Sequence, residues 1–312
     1  MRKTNNPSVP KSMHNILIVL LGPTGIGKTD ISVNIAGHFH SEIISCDSRQ
    51  FYKEMKIGTA APSEEQLKRI PHHFVHFLSV RDYYSASLFE RDVLNLLPEL
   101  FIKNNILIMT GGSGMYIDAV CTGIDDIPDI EPAIREKYIR KYNEEGLESL
   151  RIGLKIVDPE YYSKVDLKNH KRIIRALEIF EATGRPFSSF FKNERRERSF
   201  RPVKLGLRLS RDELYERINL RVDRMIKTGL EEEARALFAI RHLNALNTVG
   251  YKEFFEFFEN NISCEKAIEL IKRNSRRYAK RQMTWWAKDK DIRWFHPDQE
   301  QEIIDYLDEE VK

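Results

Sequence analysis

The hydrophobic pattern in the first part of the chain predicts strands that alternate with helices. Ile16–Leu21 is a continuous apolar run ending at Gly-Pro, which is typical of a strand buried on both faces. Apolar residues recur at helical spacing across Thr29–Phe39, and Glu42–Cys46 and Ile106–Thr110 are two further strand-like runs. Strand, helix and strand within about 30 residues form a βαβ unit, so the pattern predicts a parallel sheet with a right-handed crossover.

After residue 125 the pattern becomes mostly helical. The change begins with an acidic linker interrupted by proline, made of Asp125, Asp126, Pro128, Asp129 and Pro132. Three predicted helices follow, over Ala133–Glu145, Leu147–Val157 and His170–Thr183. A strand is then predicted over Val203–Leu209, with helices over Asp212–Gly229, Leu230–Arg241 and Ser263–Trp286. This pattern predicts three parts of the chain. They are a flexible tail over residues 1–14, an α/β core over residues 15–126 and 199–312, and a helical insertion domain over residues 127–198.

The composition excludes several classes of protein. Hydrophobic residues make up 41% and charged residues 31% of the 312 residues, which excludes bulk disorder. The longest apolar run is far below the roughly 20 residues that span a bilayer, and no secretory signal is recognisable. Three scattered cysteines, Cys46, Cys121 and Cys264, give neither a disulfide framework nor a metal-binding pair, which favours the cytoplasm. The net charge of +3 means that only local clusters argue for nucleic acid.

The segment between the first strand and the first helix fits the phosphate-loop pattern G-x-x-x-x-G-K-[ST]. Its residues are Gly22, Pro23, Thr24, Gly25, Ile26, Gly27, Lys28 and Thr29. The glycines let backbone N–H groups curl around phosphate oxygens, the helix N-terminus and Lys28 add positive charge, and Thr29 offers a hydroxyl to Mg²⁺. A chance match in a glycine-rich turn is the alternative. The motif predicts phosphate binding but does not identify the reaction.

Asp47 directly follows the second predicted strand. Parallel strands end on the same edge of an open sheet, so we expect Asp47 and the phosphate loop to face one crevice. The carboxylate could bind Mg²⁺, act as a general base or cap a following helix. The third strand ends in Thr110-Gly111-Gly112-Ser113-Gly114 without the acid that holds the metal in many ATP-hydrolysing enzymes. We therefore expect this loop to allow close backbone approach to a ligand rather than nucleotide hydrolysis.

Arg221 lies on or beside the apolar stripe of the helix that starts near Asp212. Apolar residues of this stripe include Leu214, Ile218 and Val222. An unpaired buried guanidinium is costly, so Arg221 must either extend to solvent or meet an anion such as a diphosphate.

Basic residues cluster in two places, and the cluster on the last long helix is the denser. The first comprises Arg195, Arg196, Arg198 and Arg201, and the second comprises Lys272, Arg273, Arg276, Arg277, Lys280 and Arg281. The second alternates with aromatic residues and has almost no acid to pair with along the helix. A solvated helix face is the ordinary explanation. We favour a nucleic-acid surface that includes Arg276, Arg277, Lys280 and Arg281, whose binding weakens with salt.

Taken together, the motifs closely resemble the tRNA dimethylallyltransferase family (isopentenyl-diphosphate:tRNA transferases of the bacterial MiaA type). The resemblance runs from Gly22 to about Trp286. The matching blocks are GPTGIGKT, CDSRQFY, IGTA, PHH, YSA, GGSGMY, RIIRALE, GYKE and RYAKRQMTW. It implies a P-loop NTPase-like α/β core whose helical insertion grips the anticodon stem. The implied reaction transfers a dimethylallyl group from dimethylallyl diphosphate to N6 of the adenosine 3′ of the anticodon, in tRNAs reading codons that begin with U.

The resemblance also implies roles for residues that match the family's motifs. Asp47 matches the general base, and Thr24, Lys28 and Arg221 match the groups that hold the prenyl diphosphate, with Asp47, Thr24 and Arg221 as the catalytic set. The residues matching tRNA-contacting segments are Asp47, Ser48, Arg49, Gln50, Ser113, Arg135, Lys171, Arg172, Ile173, Ile174, Arg175, Asn247, Thr248, Val249, Gly250, Tyr251 and Lys252. Mg²⁺ is the implied cofactor, with Thr29 as its ligand, and a cytoplasmic monomer is expected.

Two departures from the family pattern and three alternative functions accompany this interpretation. Ser113 stands where the family usually has Thr, and Leu167-Lys168-Asn169 stands where it commonly has Pro-Asn-Asp. The alternatives are a P-loop kinase that uses Asp47 as base, an adenylate isopentenyltransferase with AMP as acceptor, and a catalytically silent tRNA-binding protein. The helical insertion and the basic helix argue against the AMP acceptor, and intact Lys28 and Thr29 argue against a silent protein.

Overall fold

The structure is a computed structural model, and it describes residues 15–125, 127–128, 130–192 and 196–312. The predicted tail over residues 1–14 lies outside the described residues, and so do Asp126, Asp129 and Arg195. The chain divides into two compact units. One comprises the described residues up to Thr122 together with Glu197–Lys312, and the other is Gly123–Arg196. The sequence pattern placed the division at residues 127 and 198.

The first unit contains a six-stranded parallel sheet with the strand order β3-β2-β4-β1-β5-β6. The strands are β1 (Ile16–Leu21), β2 (Ile43–Ser45), β3 (His72–His73), β4 (Ile106–Gly111), β5 (Arg201–Leu207) and β6 (Arg293–Phe295). In the centre of the sheet, Ile16 of β1 pairs with Ile106 of β4 on one side and with Arg201 of β5 on the other. The predicted α/β class with a parallel sheet is confirmed.

Helices cover both faces of this sheet and form the second unit. The described residues contain α1 (Lys28–His38), α2 (Glu64–Arg69), α3 (Ala86–Lys103), α4 (Gly114–Thr122), α5 (Pro132–Val157), α6 (Pro159–Lys164), α7 (His170–Thr183), α8 (Arg211–Lys227), α9 (Leu230–Leu237), α10 (Tyr251–Phe258), α11 (Cys264–Trp286) and α12 (Glu300–Glu310). Within the described part of the chain, none of these helices is long and apolar enough to cross a membrane.

The two faces of β1 explain its uninterrupted apolar sequence. Alternate side chains of a strand point to opposite faces, and Ile18 and Leu20 join one core cluster whereas Leu17 and Val19 join the other. The first cluster includes residues of α1, α8 and α12, and the second includes residues of α3 and α4. Because both faces are covered, the carboxyl-terminal edge of the sheet is left for the loops that follow β1, β2 and β4.

The second unit is a small helical assembly with its own core. Leu150 and Leu154 of α5 pack with Ile173 and Leu177 of α7. The backbone leaves the helical conformation at Gly146, where φ is 79°, so α5 consists of two helical segments at the position where the sequence predicts two helices.

Several predicted element bounds differ from the structure. β2 is shorter than the predicted Glu42–Cys46, and β5 ends at Leu207 rather than Leu209. α9 ends at Leu237, and a separate 3₁₀ turn over Phe238–Ile240 replaces the rest of the predicted helix.

Candidate functional site

A cavity of about 700 Å³ opens at the carboxyl-terminal edge of the sheet. It is lined by Thr24, Gly25, Gly27, Lys28 and Thr29 of the phosphate loop and its helix, by Asp47 and Gln50 after β2, by Thr110 and Gly111 at the end of β4, and by Arg217, Arg221 and Arg224 of α8. The structure therefore brings the phosphate loop, the carboxylate and the arginine of α8 together in one cavity. The sequence placed the phosphate loop and Asp47 at this edge, and the family resemblance assigned Arg221 to the same ligand.

The phosphate loop turns through two glycines in the left-handed region. Gly25 has a φ of 81°, and Gly27, which precedes the first turn of α1, has a φ of 98°. L-residues adopt such angles at a steric cost, so the two positions require glycine. A Cβ at Gly25 would also lie 2.9 Å from Cγ1 of Ile218 on α8. The loop thus leads into the N-terminus of α1, where backbone N–H groups are available to an anion.

Lys28 is partly buried, and its ammonium group is directed back onto its own loop. Its Nζ donates hydrogen bonds to the carbonyl oxygens of Gly22 (2.9 Å) and Pro23 (3.1 Å). Burial lowers the pKa of Lys28 to about 8, the Asp47 carboxylate opposes this change and Arg221 adds to it. A bound polyanion would favour the charged form, so anion binding and protonation of Lys28 are coupled.

Arg221 neither extends to solvent nor pairs with a carboxylate in the described structure. Its Nη1 donates to the Oγ1 of Thr24, and its Nη2 donates to the carbonyl oxygen of Thr59 at 3.1 Å. Its buried Nε has no hydrogen-bond partner among the described residues. Burial lowers the pKa of Arg221, and Asp47 opposes the change. The guanidinium lies at the cavity wall, and the described residues do not use all of its N–H donors. Such a group is suited to binding a phosphate.

Gln282 connects the phosphate loop to the loop after β4, although sequence analysis assigned it no role. Its Oε1 accepts the backbone N–H of Thr24 at 2.9 Å, and its Nε2 donates to the carbonyl oxygen of Gly112 at 2.7 Å. The side chain is buried on α11. Gln282 lies inside the RYAKRQMTW block. A single glutamine in a helix creates no periodic pattern, so the sequence does not mark it as functional.

Asp47 lies in a turn rather than at the start of a helix. Its Oδ1 accepts the N–H of Arg49 at 3.1 Å, and its carbonyl oxygen accepts the N–H of Gln50 at 3.0 Å. Ser48 next to it donates its N–H to the Oγ of Ser113 at 3.0 Å. The helix-capping alternative is therefore wrong, because the residues that follow form a turn.

Tyr278 of α11 is a further group near this carboxylate. Its hydroxyl forms a hydrogen bond with the Ser113 side chain, and burial, followed by the charge of Asp47, raises the pKa of Tyr278 to about 12. The hydroxyls of Ser48, Ser113 and Tyr278 thus form a neutral polar border next to Asp47.

The glycines at the end of β4 and directly after it are required by contacts within the protein. A Cβ at Gly111 would lie 2.0 Å from the carbonyl oxygen of Cys46, and one at Gly114 would lie 2.4 Å from the Trp285 ring. A Cβ at Gly112 would lie 2.5 Å from Nε2 of Gln282. These contacts within the protein already require glycine at the three positions. Close approach of the loop backbone to a ligand stays a prediction, and Gly111 lines the cavity.

The basic residues of α11 divide into two groups. Arg276 donates to the Oδ1 of Asn219 at 2.7 Å, and Lys272 lies 2.6 Å from the carboxylate of Asp223, both on α8. The sequence shows only partners within one helix, whereas the partners of Arg276 and Lys272 lie on a different helix. Three members are exposed, and they are Arg277, Lys280 and Arg281.

Several residues that match tRNA-contacting segments are buried. Tyr251 donates its hydroxyl to Oε1 of Glu233 at 2.6 Å, and Gly250 is buried beside it. Ile173 and Ile174 lie in the core of the second unit. The fold uses the side chains of Tyr251, Ile173 and Ile174 for packing. Contact between their segments and tRNA stays a prediction. Asn247 is exposed, and Thr248, Val249 and Lys252 are partly or fully accessible.

Within the second unit, two of the predicted tRNA-contacting arginines share a buried carboxylate. Arg135 donates through Nε and Nη2 to the two oxygens of Glu178 at 2.9 and 3.0 Å. Arg175 lies 3.6 Å from the same carboxylate. Lys171 and Arg172 at the start of α7 are exposed. Glu178 was not singled out by sequence analysis, because an acid in a helix usually faces solvent.

A magnesium site would depend on the substrate as well as the protein. The hydroxyl-bearing Thr29 lines the cavity together with Asp30 and Asp47. No group of three or more His, Cys, Asp or Glu side chains that could hold a metal occurs among the described residues. This donor set fits Mg²⁺ bound through one or two protein oxygens plus phosphate oxygens.

Comparison with known proteins gives consistent matches. The family model for IPP transferase matches residues 50–289. The chain is 54% identical to tRNA dimethylallyltransferase 1 of Bacteroides fragilis, covering 95% of this chain and 98% of that protein. It is 56% identical to tRNA dimethylallyltransferase 2 of Porphyromonas gingivalis, covering 92% and 96%.

Comparison with solved structures also matches the chain to tRNA-modifying prenyltransferases. The full-length tRNA isopentenylpyrophosphate transferase from Bacillus halodurans matches with a TM-score of 0.69 and 33% identity over 96% of this chain and 97% of that chain. A eukaryotic dimethylallyltransferase, whose structures show it acting on tRNA, matches with a TM-score of 0.78 and 25% identity over 95% and 80%.

Proposed function

The chain belongs to the IPP transferase family, and on that basis we propose that it transfers a dimethylallyl group from dimethylallyl diphosphate to N6 of the adenosine 3′ of the anticodon. The enzyme is a tRNA prenyltransferase. The observation that carries the finer assignment is the single cavity lined by the phosphate loop, Asp47 and Arg221. We further propose that the acceptors are tRNAs reading codons that begin with U.

The donor diphosphate is assigned to the phosphate-loop side of the cavity. This side of the cavity carries two positive charges, the ammonium of Lys28 and the guanidinium of Arg221. It also offers hydrogen-bond donors in the backbone N–H groups at the start of α1. As the bond between C1 of the dimethylallyl group and the diphosphate oxygen breaks, negative charge grows on the leaving group. Because these donors are fixed in place, they stabilise the charge that develops in the transition state and lower the activation barrier of the transfer.

Asp47 is assigned as the acceptor of the adenine proton. The N6 lone pair is delocalised into the ring, so the amine is a weak nucleophile. As N6 bonds to C1, one amine proton passes to the Asp47 carboxylate, and diphosphate departs with the electrons of the broken bond. A positioned general base contributes roughly 10²–10⁴-fold to such a step. Thr24 fixes Arg221 through its Oγ1, and Arg221 in turn faces the leaving group.

Mg²⁺ is proposed as the cofactor. Bound by the Thr29 hydroxyl and the diphosphate oxygens, it would neutralise part of the leaving-group charge. Thr29 occupies the first turn of α1, where backbone N–H groups have no partner within the helix and can donate to the diphosphate.

The tRNA side of the proposal rests on exposed cations and on one conformational step. Arg277, Lys280 and Arg281 on α11, and Lys171 and Arg172 on α7, are exposed and suited to phosphate contacts. The adenosine must leave its stack to reach Asp47, which costs a few kcal/mol that these contacts offset. We propose that the enzyme acts as a monomer in the cytoplasm, where tRNA is modified.

Incubation with labelled dimethylallyl diphosphate tests the proposal directly. Unmodified tRNA, AMP and ATP are offered together, with a tRNA carrying guanosine 3′ of the anticodon as the matched control. We expect label on N6 of the adenosine in the first tRNA and none on the control. Label on AMP, or consumption of ATP without prenyl transfer, would contradict the assignment.

A further inference from the structure

Glu233 near the start of α9 receives four hydrogen bonds from groups beside the cavity. Its Oε2 accepts the backbone N–H groups of Lys56 and Ile57, each at 2.9 Å. Its Oε1 accepts the N–H of Gly58 at 2.9 Å and the hydroxyl of Tyr251 at 2.6 Å. Consecutive N–H groups pointing at one oxygen pair form an anion-binding concavity, and here the anion is a side chain of the protein itself.

The segment that Glu233 holds forms one wall of the cavity. Lys56, Ile57, Ala60 and Ala61 line the cavity, and we name residues 56–61 the wall segment. The wall segment contains the Thr59 carbonyl oxygen that accepts Nη2 of Arg221 at 3.1 Å. The position of Arg221 thus depends on where the wall segment lies.

Tyr251 fixes the same segment by contact as well as by its hydrogen bond. Its ring lies so close to Gly58 that a Cβ there would be 2.5 Å from ring atom Cε2. Tyr251 is fully buried at the start of α10. The sequence blocks IGTA and GYKE, which are distant in the chain, therefore meet at one carboxylate.

We propose that Glu233 is a positioning residue for the prenyl donor, acting through the wall segment on Arg221. This inference rests on the proposed function, since it assigns Arg221 to the donor diphosphate. A carboxylate is needed because it offers two acceptor oxygens to four donors. The isosteric amide replaces one oxygen with a donating NH₂ group, which would face two donors and displace the wall segment.

Glu233→Gln and Glu232→Gln form a matched pair of variants. Both variants remove one negative charge from the first turn of α9, so both lose the same favourable interaction with the helix dipole. Glu232 is exposed, whereas Glu233 holds the wall segment. We expect Glu233→Gln to raise KM for dimethylallyl diphosphate about tenfold, the effect of roughly one hydrogen bond to a charged group, and Glu232→Gln to leave it unchanged.

A double-mutant cycle separates positioning from general loss of structure. kcat/KM for the donor is measured at saturating tRNA for Glu233→Gln, Arg221→Ala and the double variant, with tRNA affinity and thermal unfolding measured in parallel. If Glu233 acts through Arg221, its substitution lowers kcat/KM in the wild-type background and adds little when Arg221 is already Ala. Equal losses in both backgrounds would overturn the proposal.

Tyr251→Phe provides a second test if Glu233→Gln does not fold. It removes one of the four donors and leaves the carboxylate with three, so we expect a smaller rise in donor KM that also disappears in the Arg221→Ala background. An unchanged donor KM for both Glu233→Gln and Tyr251→Phe would refute the inference. Failure of the proposed function is a separate result, because the wild-type protein would then transfer no prenyl group.

Discussion

At the scale of single residues, the cavity places cationic and anionic side chains close together where water is partly excluded. Lys28 and Arg221 are partly buried near Asp47, and the carboxylate favours the charged form of each cation. In the described structure both cations bond to uncharged oxygens, Lys28 to loop carbonyls and Arg221 to Thr24 and Thr59. Two cations without a fully compensating partner favour the entry of a polyanion.

The lowered pKa of Lys28 predicts how diphosphate affinity depends on pH. Only the protonated amine binds the anion strongly. Above the pKa of about 8, binding must take up a proton, so affinity falls by up to about tenfold per pH unit. Calorimetric titration with inorganic diphosphate between pH 7 and pH 10 measures this dependence of affinity on pH.

Lys28→Arg is the control for this effect, because a guanidinium stays protonated over the whole range. The variant should lack the fall that begins near the pKa of about 8. The same decline in wild type and variant would show that another group is responsible.

Residue-scale chemistry was predictable from the sequence only where a motif fixes the position. Lys28 and Thr29 follow from the phosphate-loop spacing, and Asp47 from its place after a strand. Glu233 and Gln282 could not be found in this way, because their partners lie about 175 and 258 residues away and no pattern within the helix marks them. Their roles depend on packing between distant elements.

At the scale of elements, the buried strands were the most predictable part. β1 and β4 are continuous apolar runs that only a doubly covered strand explains. β3 consists of two histidines, and β6 is Arg-Trp-Phe with an exposed arginine, so neither strand forms the continuous apolar run that marks β1 and β4. α3 went unpredicted although it has 18 residues, and it contains Pro98, a residue that usually marks a helix end.

The contact between the ends of β2 and β4 predicts that Gly111 tolerates no side chain. A Cβ there would lie 2.0 Å from the Cys46 carbonyl oxygen, so strands that position Asp47 would have to separate. We expect Gly111→Ala to destabilise the protein by more than about 3 kcal/mol, as overpacking against backbone does at the upper end of its range. Urea unfolding measures this.

Gly153→Ala is the comparison, since a Cβ there meets Leu177 at an ordinary 3.5 Å within α5. It should be neutral or stabilising by up to about 1 kcal/mol, because alanine is the better helix former. Similar stability of the two variants would contradict the close contact at the sheet edge.

The division of the basic residues on α11 predicts different effects for neighbouring cations. Lys280 is exposed, so Lys280→Ala should weaken tRNA binding and reduce the slope of log K against log salt by about 1. Arg276 is engaged with Asn219, so Arg276→Ala should leave the slope unchanged and lower stability instead. Binding at several salt concentrations distinguishes the two. A reduced slope for Arg276→Ala alone would contradict this division.

At the scale of the whole molecule, the chain combines a sheet that builds a reaction cavity with a separate helical unit. The sequence change near residue 125 predicted the insertion, and the compact units divide at Gly123–Arg196. Which face of each unit binds tRNA could not be derived from periodicity, because charge runs on a helix do not show which of their members pair with other elements. Arg135, Arg175 and Arg276 are examples.

Asp47→Asn is the most direct test of the claim that one cavity joins the leaving-group site to the proton acceptor. The amide keeps an oxygen for the Arg49 N–H but cannot accept the adenine proton at neutral pH. Single-turnover rates at saturating donor and tRNA are measured together with tRNA affinity. We expect the rate to fall at least about 100-fold while tRNA affinity is nearly unchanged. A rate close to that of the wild type would remove Asp47 from the chemistry and contradict the claim.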